Sequence, residues 1–273
     1  MAVELADPDV PDPAVVLCDL DGVIWLSHVA IRGSVEAVAR LRAGGRRVVF
    51  VTNNSSAIVA VQEQALAAIG IPAVGDVLTS AAAAAALVHE GERVLVCGGP
   101  GIHEAVGARH ALAVAGDDPT GVDVNAVIVG FHREFDYERM RIAATAVRRG
   151  ARLIATNDDA TYPTPDGPIP GGGAILASVA TATGRLPVVA GKPYEPMAAA
   201  VTALLGPLDG QLLMVGDRAS TDGAFAVTMG CPFALVRTGV TLPGDEVGVP
   251  VAIDASDLAA VVDALAPRTA GTP

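Results

Sequence analysis

Residues 15–25 read VVLCDLDGVIW, an apolar run that ends in two acidic residues and a glycine. The run from Val15 to Leu20 is typical of a strand buried on both faces, as in a parallel sheet. Asp19 and Asp21 are two residues apart, so their side chains project to the same side where the strand ends. Like charges close together are costly without a compensating cation, and Mg²⁺ prefers oxygen ligands. The stretch therefore favours a magnesium site.

Short apolar runs alternate with helical stretches along the rest of the chain. Strands are predicted at 48–51, 93–97, 126–130, 152–156, 188–190, 212–216 and 232–237. Helices are predicted from an N-cap at Ser34 to Gly44, at 57–69, 80–89, 102–108 and 137–149, from a Pro- and Gly-rich loop at 162–173 to about 183, and at 196–205 and 222–229. This alternation predicts an α/β fold with a doubly wound, mostly parallel, Rossmann-like sheet.

The middle of the chain has its own three strand–helix units, and the polar segments described next lie outside it. We therefore expect an inserted α/β domain at 83–185 and a catalytic core made of 14–82 plus 186–273. Residues 1–13 are rich in Asp and Pro and are expected to form a loose arm.

Three further polar segments follow predicted strands. Thr52-Asn53-Asn54-Ser55 offers hydroxyls, amides and backbone N–H groups at a helix start, which suits a phosphate. Gly191-Lys192-Pro193 supplies a cation, and Gly216-Asp217-Arg218 is followed by a second acid at Asp222. Each segment alone is a weak signal, because an acid after a strand is a common helix cap. In open α/β sheets, however, ligands bind at the carboxyl ends of the strands.

Together the four segments resemble the four motifs of the haloacid dehalogenase (HAD) superfamily. The resemblance covers about Val15 to Thr241 and is closest to the branch with a large α/β cap inserted between the second and third motifs, here 83–185. That branch includes 4-nitrophenylphosphatase-like, phosphoglycolate, pyridoxal-phosphate, nucleotide and glycerol-phosphate phosphatases. The resemblance implies a magnesium-dependent phosphoric monoester hydrolase that works through an aspartyl-phosphate.

The resemblance also implies a role for each matching residue. Asp19 is expected to be the nucleophile and Asp21 the general acid/base. The carboxylates of Asp19 and Asp217 and the backbone carbonyl of Asp21 are expected to hold Mg²⁺, while Asp222 orients that shell or Lys192. Lys192 and Thr52 are expected to neutralise and hold the transferring phosphoryl group. The remaining substrate-binding candidates are Asn53, Asn54, Gly22, Gly172 and His132.

Two positions depart from the pattern. Members of the branch often carry an acid at the place of Ser220 and an aspartate at the place of His132. Because Asp217 and Asp222 remain, the metal site is expected to be intact, and the change at His132 bears on substrate choice. A loop or surface role for His132 and a plain loop turn at Gly172 stay open as alternatives.

Glycerol 3-phosphate is the preferred substrate, with 2-phosphoglycolate, a nucleoside monophosphate and pyridoxal phosphate as alternatives. A phosphomutase is disfavoured, because its relatives carry a smaller cap after the first motif and the span from Ile24 to Val51 is too short for one. A dehalogenase is disfavoured because it needs neither Asp21 nor the metal. A catalytically weak sugar-phosphate sensor is the alternative of a different class.

Composition excludes several other classes. A net charge of −12 argues against a surface for nucleic acid, which needs clustered Lys and Arg. No apolar run reaches the roughly 18 residues of a membrane span, and Met1 to Pro13 lacks the pattern of a signal peptide. The three cysteines are widely spaced and are expected to be reduced thiols. We expect a cytoplasmic enzyme for a small phosphorylated metabolite, and members of this branch often pair through their caps as homodimers.

Overall fold

The computed structural model describes residues 12–162, 167–206 and 211–265. Most of the predicted arm at 1–13 and part of the predicted loop at 162–173 lie outside these ranges. The strands in chain order are β1 (Val15–Cys18), β2 (Trp25–Leu26), β3 (Val29–Ala30), β4 (Arg47–Thr52), β5 (Val77–Thr79), β6 (Arg93–Cys97), β7 (Leu112–Ala115), β8 (Ala126–Val129), β9 (Arg152–Ala155), β10 (Thr161–Tyr162), β11 (Ile169–Pro170), β12 (Val188–Val189), β13 (Leu212–Gly216), β14 (Phe233–Val236) and β15 (Ile253–Ala255).

The α-helices in chain order are α1 (Ser34–Ala43), α2 (Val59–Ala68), α3 (Ser80–Ala85), α4 (Pro100–Ala108), α5 (Tyr137–Arg148), α6 (Gly172–Thr183), α7 (Glu195–Leu205), α8 (Ala224–Met229) and α9 (Leu258–Ala264). No helix within the described ranges is both long enough and apolar enough to cross a bilayer.

The described residues divide into two compact units. The first takes in the described parts of Met1–Val51, Glu63–Val77 and Leu205–Pro273, and the second consists of Thr52–Gln62 and Leu78–Leu204. The segment predicted as an insertion, 83–185, falls in the second unit, together with the flanking residues up to Leu204. Compactness alone does not define where a catalytic core ends, so the predicted bounds of core and cap remain a prediction.

A six-stranded sheet with the order β15-β14-β13-β1-β4-β5 organises the first unit. The central strand β1 pairs in parallel with β13 on one side and with β4 on the other. Because it has a neighbour on both sides and is covered on both faces, Val16, Leu17 and Cys18 are completely buried. The carboxyl ends of β1, β4 and β13 therefore share one edge, and the prediction of a mostly parallel α/β sheet is confirmed.

The second unit contains a parallel five-stranded sheet with the order β12-β9-β8-β6-β7. Helices α5 and α6 pack on it, and Ile142, Ala143 and Val179 join a core with the strand residues Val127 and Val129. Small and β-branched side chains fill this core, as the scarcity of aromatic residues, 3% of the chain, requires. The short strands β10 and β11 pair antiparallel beside this sheet.

Ser34 does not cap α1 as predicted. The N-cap is Gly33, whose φ of 82° lies in the left-handed region that glycine tolerates, and Ser34 is the first helical residue. The Ser34 hydroxyl instead donates to the carbonyl oxygen of Ile24 at 2.9 Å. A buried serine therefore ties α1 to the segment that follows β1, which positions the acids of the first motif.

Other differences lie where local signals were weak. The helix predicted at 80–89 ends at Ala85, because the N–H groups of Leu87 and Val88 bond three residues back in a tighter turn. Strands β5, β7 and β15 and helix α9 were not predicted, since their short, mixed sequences carry little periodicity.

Replacing Ser34 by alanine should lower the free energy of unfolding by about 1 kcal/mol, because a buried hydrogen bond is lost. Ser220→Ala is the matched control, since Ser220 is exposed and loses the same hydroxyl. Urea denaturation followed by circular dichroism measures both variants. Equal midpoints for the two variants would contradict the assigned role of Ser34.

Candidate active site

Three carboxylates meet at the carboxyl edge of the first sheet. One oxygen each from Asp19, Asp217 and Asp222 lies within 4.8 Å of the other two. Asp217 and Asp222 are buried, with 4% and 1% of their surface exposed, and Asp19 is partly buried. Three negative charges at this spacing and this depth repel one another strongly unless a cation joins them.

The two acids of the first motif are held in different ways. The N–H of Asp19 donates to the carbonyl oxygen of Val215 at 2.9 Å, so Asp19 continues the pairing of β1 with β13. The Asp21 carboxylate accepts a hydrogen bond from Nε1 of Trp25 at 3.2 Å. Between Asp21 and Trp25 the chain turns at Gly22, whose φ of 88° favours glycine. Asp21 is not one of the three acids that form the carboxylate cluster.

Glycine lines the pocket in which the Asp217 carboxylate lies. A Cβ on Gly22 would approach the Asp217 carboxyl carbon to 2.5 Å, and a Cβ on Gly239 would overlap the same carboxylate. The N–H of Val240 donates to Oδ2 of Asp217 at 2.6 Å. The close approach of the backbone lets an N–H group donate directly to the buried carboxylate.

Asp222 enters the cluster through an irregular turn. Residues Ala219–Gly223 form a π-helical turn in front of α8, where the sequence predicted a helix from 222. This turn carries Asp222 back so that its Oδ2 accepts from the N–H of Arg218 at 3.1 Å. Ser220, the departure from the family pattern, is exposed on the same turn. The acid that Ser220 replaces is therefore not needed to complete the three-carboxylate cluster.

The donor set of this cluster fits a divalent cation. Carboxylate oxygens are the ligands that Mg²⁺ and Ca²⁺ prefer, and the sulfur or imidazole ligands that zinc favours do not belong to the cluster. Two further predicted metal roles, a backbone carbonyl from Asp21 and an orienting function for Asp222, remain predictions.

The second unit begins with the predicted phosphate-binding segment. Thr52 ends β4 with 2% of its surface exposed, and its Oγ1 accepts a hydrogen bond from the N–H of Asn54 at 3.0 Å. Asn54 uses its own Oδ1 to accept from the N–H of Ser56 at 3.0 Å. Because a hydroxyl has one proton to donate, the bond from Asn54 leaves the Thr52 O–H able to donate to an anion.

Lys192 lies in the second unit with 1% of its surface exposed. It follows β12 in the Gly191-Lys192-Pro193 segment, and its backbone bonds with the side chain of Asn53. Gly172 is the first residue of α6, and a Cβ there would come within 3.0 Å of Asn157 Oδ1.

His132 follows β8 in the second unit. Its Nδ1 is 3.7 Å from Oε2 of Glu134, and its ring meets Phe135 edge to face. Its Nε2 is buried and has no hydrogen-bond partner among the described residues. Burial, followed by the nearby charge of Arg139, lowers the pKa of His132, which favours the neutral ring.

Several residues that shape these sites were not predicted from the sequence. Trp25 bonds Asp21, Val240 bonds Asp217, and the Thr238 hydroxyl donates to the Gly22 carbonyl at 2.5 Å. The segment Arg237–Val240 follows β14, and its position after a strand was a usable signal. Asn157 and Asp159 follow β9 in the same way.

The chain matches two family models. Residues 16–110 match the haloacid dehalogenase-like hydrolases, and residues 189–266 match a second model described as HAD-hydrolase-like. Among curated proteins, a 5'-nucleotidase of Bacillus subtilis is 34% identical over 82% of this chain and 87% of its own length. Chronophin of Mus musculus is 34% identical over 83% and 81%, and a chloroplastic phosphoglycolate phosphatase of Arabidopsis thaliana is 32% identical over 88% and 72%.

Solved structures of phosphatases are also similar to this chain. A p-nitrophenyl phosphatase from Archaeoglobus fulgidus superimposes with a TM-score of 0.85 and 31% identity over 93% of this chain and 100% of its own. A glycerol phosphate phosphatase from Mycobacterium tuberculosis, in complex with magnesium, gives 0.82 and 32% over 93% and 79%.

Asp217→Asn should abolish stabilisation by Mg²⁺ without lowering stability in its absence. The amide oxygen can keep the bond from Val240, while one of three mutually repelling charges is removed. For the unmodified protein at saturating Mg²⁺, we expect the melting temperature to rise by about 5 °C.

Thermal melts with and without Mg²⁺ measure this effect, and Asp254→Asn, at an exposed acid that pairs with Arg237, is the control. An Asp217→Asn protein that gains as much from Mg²⁺ as the control would show that the cluster is not the metal site.

Proposed function

Because the chain belongs to the haloacid dehalogenase-like hydrolases, we propose that it hydrolyses a small phosphate monoester with Mg²⁺, through an aspartyl-phosphate on Asp19. Several relatives are phosphatases by name, among them a phosphoglycolate phosphatase, an acid sugar phosphatase and a p-nitrophenyl phosphatase. The observation that carries the proposal is the cluster of Asp19, Asp217 and Asp222 at the carboxyl edge of the sheet.

The first half of the proposed reaction forms a bond between a carboxylate oxygen of Asp19 and phosphorus. The bond from phosphorus to the alcohol oxygen breaks, and Asp21 gives its proton to that leaving oxygen. The hydrogen bond from Nε1 of Trp25 orients the Asp21 carboxylate for this proton transfer.

In the second half, water attacks the phosphorus of the aspartyl-phosphate while Asp21 takes a proton from that water. The phosphorus–oxygen bond to Asp19 breaks, which returns the free carboxylate and releases inorganic phosphate. Asp21 ends protonated, as it began, so one water is consumed and the enzyme is regenerated.

The carboxylates of Asp19, Asp217 and Asp222 lie close enough together to hold Mg²⁺, and the backbone carbonyl of Asp21 is proposed as a further ligand. When bound, the cation supplies positive charge that offsets the repulsion between the Asp19 carboxylate and the anionic substrate. The N–H groups of Val240 and Arg218 orient the carboxylates of Asp217 and Asp222 for that purpose.

Thr52 and Lys192 are proposed to bind the phosphoryl oxygens. The Thr52 hydroxyl, whose oxygen already accepts from Asn54, has its proton left to donate. The ammonium of Lys192 brings a buried positive charge, which acts more strongly on an anion than an exposed one would.

Glycerol 3-phosphate is the proposed substrate. The support is the likeness to the glycerol phosphate phosphatase of Mycobacterium tuberculosis, at 32% identity and a TM-score of 0.82. Glycerol 3-phosphate is a small, flexible and polar phosphate monoester.

A nucleoside monophosphate is the second candidate. It is favoured by the likeness to the 5'-nucleotidase of Bacillus subtilis, at 34% identity. The second unit also holds a half-buried aromatic pair, Phe131 and Tyr162, stacked with ring centroids 5.4 Å apart. Such a pair offers a flat face to a planar base, which glycerol lacks.

Asp19→Asn should lower phosphate release by more than about 1,000-fold, because an amide cannot form the acyl-phosphate. The measurement is inorganic phosphate released from glycerol 3-phosphate with Mg²⁺, and with excess chelator, which should also abolish release. Asp263→Asn, at an exposed ion pair with Arg40, should keep full activity. Metal-dependent turnover by Asp19→Asn at the control's rate would disprove the nucleophile assignment.

Among phosphomonoesters, glycerol 3-phosphate should have a kcat/KM at least about 10-fold above those of AMP, 2-phosphoglycolate and pyridoxal phosphate. A screen of phosphate release over several dozen phosphometabolites tests this order. If AMP ranks first and Phe131→Ala raises its KM selectively, the second candidate replaces the first. Phosphate binding without turnover of any compound would favour a sensor.

A further inference from the structure

Lys192 is useful to an anionic substrate only if its ammonium is held in place. A lysine side chain has four rotatable bonds and loses conformational entropy when it is fixed. Lys192 is nevertheless buried, with 1% of its surface exposed. The backbone of Lys192 must also be fixed, because a displacement of the backbone would displace the ammonium group at the end of the side chain.

The side-chain amide of Asn53 forms hydrogen bonds with both the N–H and the carbonyl oxygen of Lys192. Oδ1 of Asn53 accepts from the N–H of Lys192 at 2.8 Å, and Nδ2 of Asn53 donates to the Lys192 carbonyl oxygen at 3.0 Å. One planar amide thus pairs with the donor and the acceptor of a single residue 139 positions along the chain. Two bonds from one rigid group restrict rotation as well as distance.

A third bond holds the amide itself. Nδ2 of Asn53 also donates to Oδ2 of Asp159 at 3.0 Å, which uses its second proton. The N–H of Asp159 in turn donates to Oδ1 of Asn157 at 3.2 Å. The bond to a carboxylate determines which end of the amide is nitrogen, since the reversed amide would set oxygen against two acceptors.

The residue before Lys192 must be a glycine for the Asn53 amide to come this close. A Cβ on Gly191 would lie 2.5 Å from Oδ1 of Asn53 and would overlap the carbonyl oxygen of Thr156. The backbone carbonyl of Asn53 is anchored separately, by Nδ2 of Asn157 and the hydroxyl of Ser80, each at 2.8 Å. The glycine of the Gly191-Lys192 segment is thus required by Asn53.

We propose that Asn53 is a positioning residue for Lys192 and that Asp159 sets the orientation of its amide. The inference rests on the proposed function, since it gives the buried ammonium a substrate to meet. It also changes the role expected for Asn53 from the sequence. Both amide protons and the amide oxygen are engaged within the second unit, so the side chain holds Lys192, and only the backbone N–H remains for a phosphoryl oxygen.

The test uses Asn53→Asp, Asp159→Asn and the double variant, each as the full chain. Asn53→Asp keeps an acceptor for Lys192 but loses both donors and faces the Asp159 carboxylate. We expect kcat for phosphate release to fall by about 100-fold, with KM much less affected, because a displaced catalytic group costs this much. Asp159→Asn keeps an acceptor for Asn53 but no longer determines which end of its amide is nitrogen, so kcat should fall by a smaller factor, about 5-fold.

The double variant restores a donor–acceptor pair with the roles exchanged, so its kcat should exceed that of Asn53→Asp by about 10-fold. Recovery of kcat without a matching change in melting temperature separates positioning from a purely structural role, which would change both together. Asn125→Asp is the matched control: Asn125 is exposed in the same unit and its Oδ1 accepts from the N–H of Arg93, which Asp can replace. Circular dichroism and melting temperature confirm that each variant is folded.

Binding of inorganic phosphate in the presence of Mg²⁺, by calorimetry, separates this proposal from the proposed function. If the unmodified chain releases phosphate from no monoester, the proposed function fails. Weaker phosphate binding by Asn53→Asp, recovered in the double variant, would still support the positioning role. Unchanged kcat and phosphate affinity in Asn53→Asp, or a double variant no better than Asn53→Asp, would overturn it.

Discussion

Three mutually repelling carboxylates determine the rest of the first unit. Asp19, Asp217 and Asp222 approach within 4.8 Å at the edge of a parallel sheet, and two of them are almost completely buried. Without partners, such a group would favour protonation or unfolding. The N–H of Val240 donates to Asp217, and the N–H of Arg218 donates to Asp222. The turn at Gly22 leaves room for the Asp217 carboxylate, and the irregular turn before α8 brings Asp222 to the cluster.

The parallel sheet makes this concentration of charge feasible. Because β1 pairs with both β13 and β4, three strands end beside one another and each supplies polar residues at the same edge. The interior of the sheet remains fully apolar, so the cost of burying charge is confined to its edge. The second unit follows a similar plan, since Asn157 and Asp159 follow β9 and Lys192 follows β12.

Much of this arrangement could be predicted from the sequence, because it depends on local order. The run Val15–Cys18 reads as a buried strand, and Asp19, Thr52 and Asp217 stand directly at strand ends. Asp222 was harder to place, since a π-helical turn has no periodic signature and its carboxylate returns to the cluster only through that turn. The hydrogen bond between Asn53 and Asp159 joins residues 106 positions apart, and the sequence around either residue contains no signal that predicts it.

The glycines around Asp217 also have a consequence for inheritance. At Gly22 and Gly239 the space beyond the α-carbon is already taken by the Asp217 carboxylate. Every other amino acid adds at least one carbon there, so no missense change at either codon is conservative. Among functional variants of a population or a saturation library, we expect only synonymous changes at these two positions. The exposed Ser220 should accept many different residues.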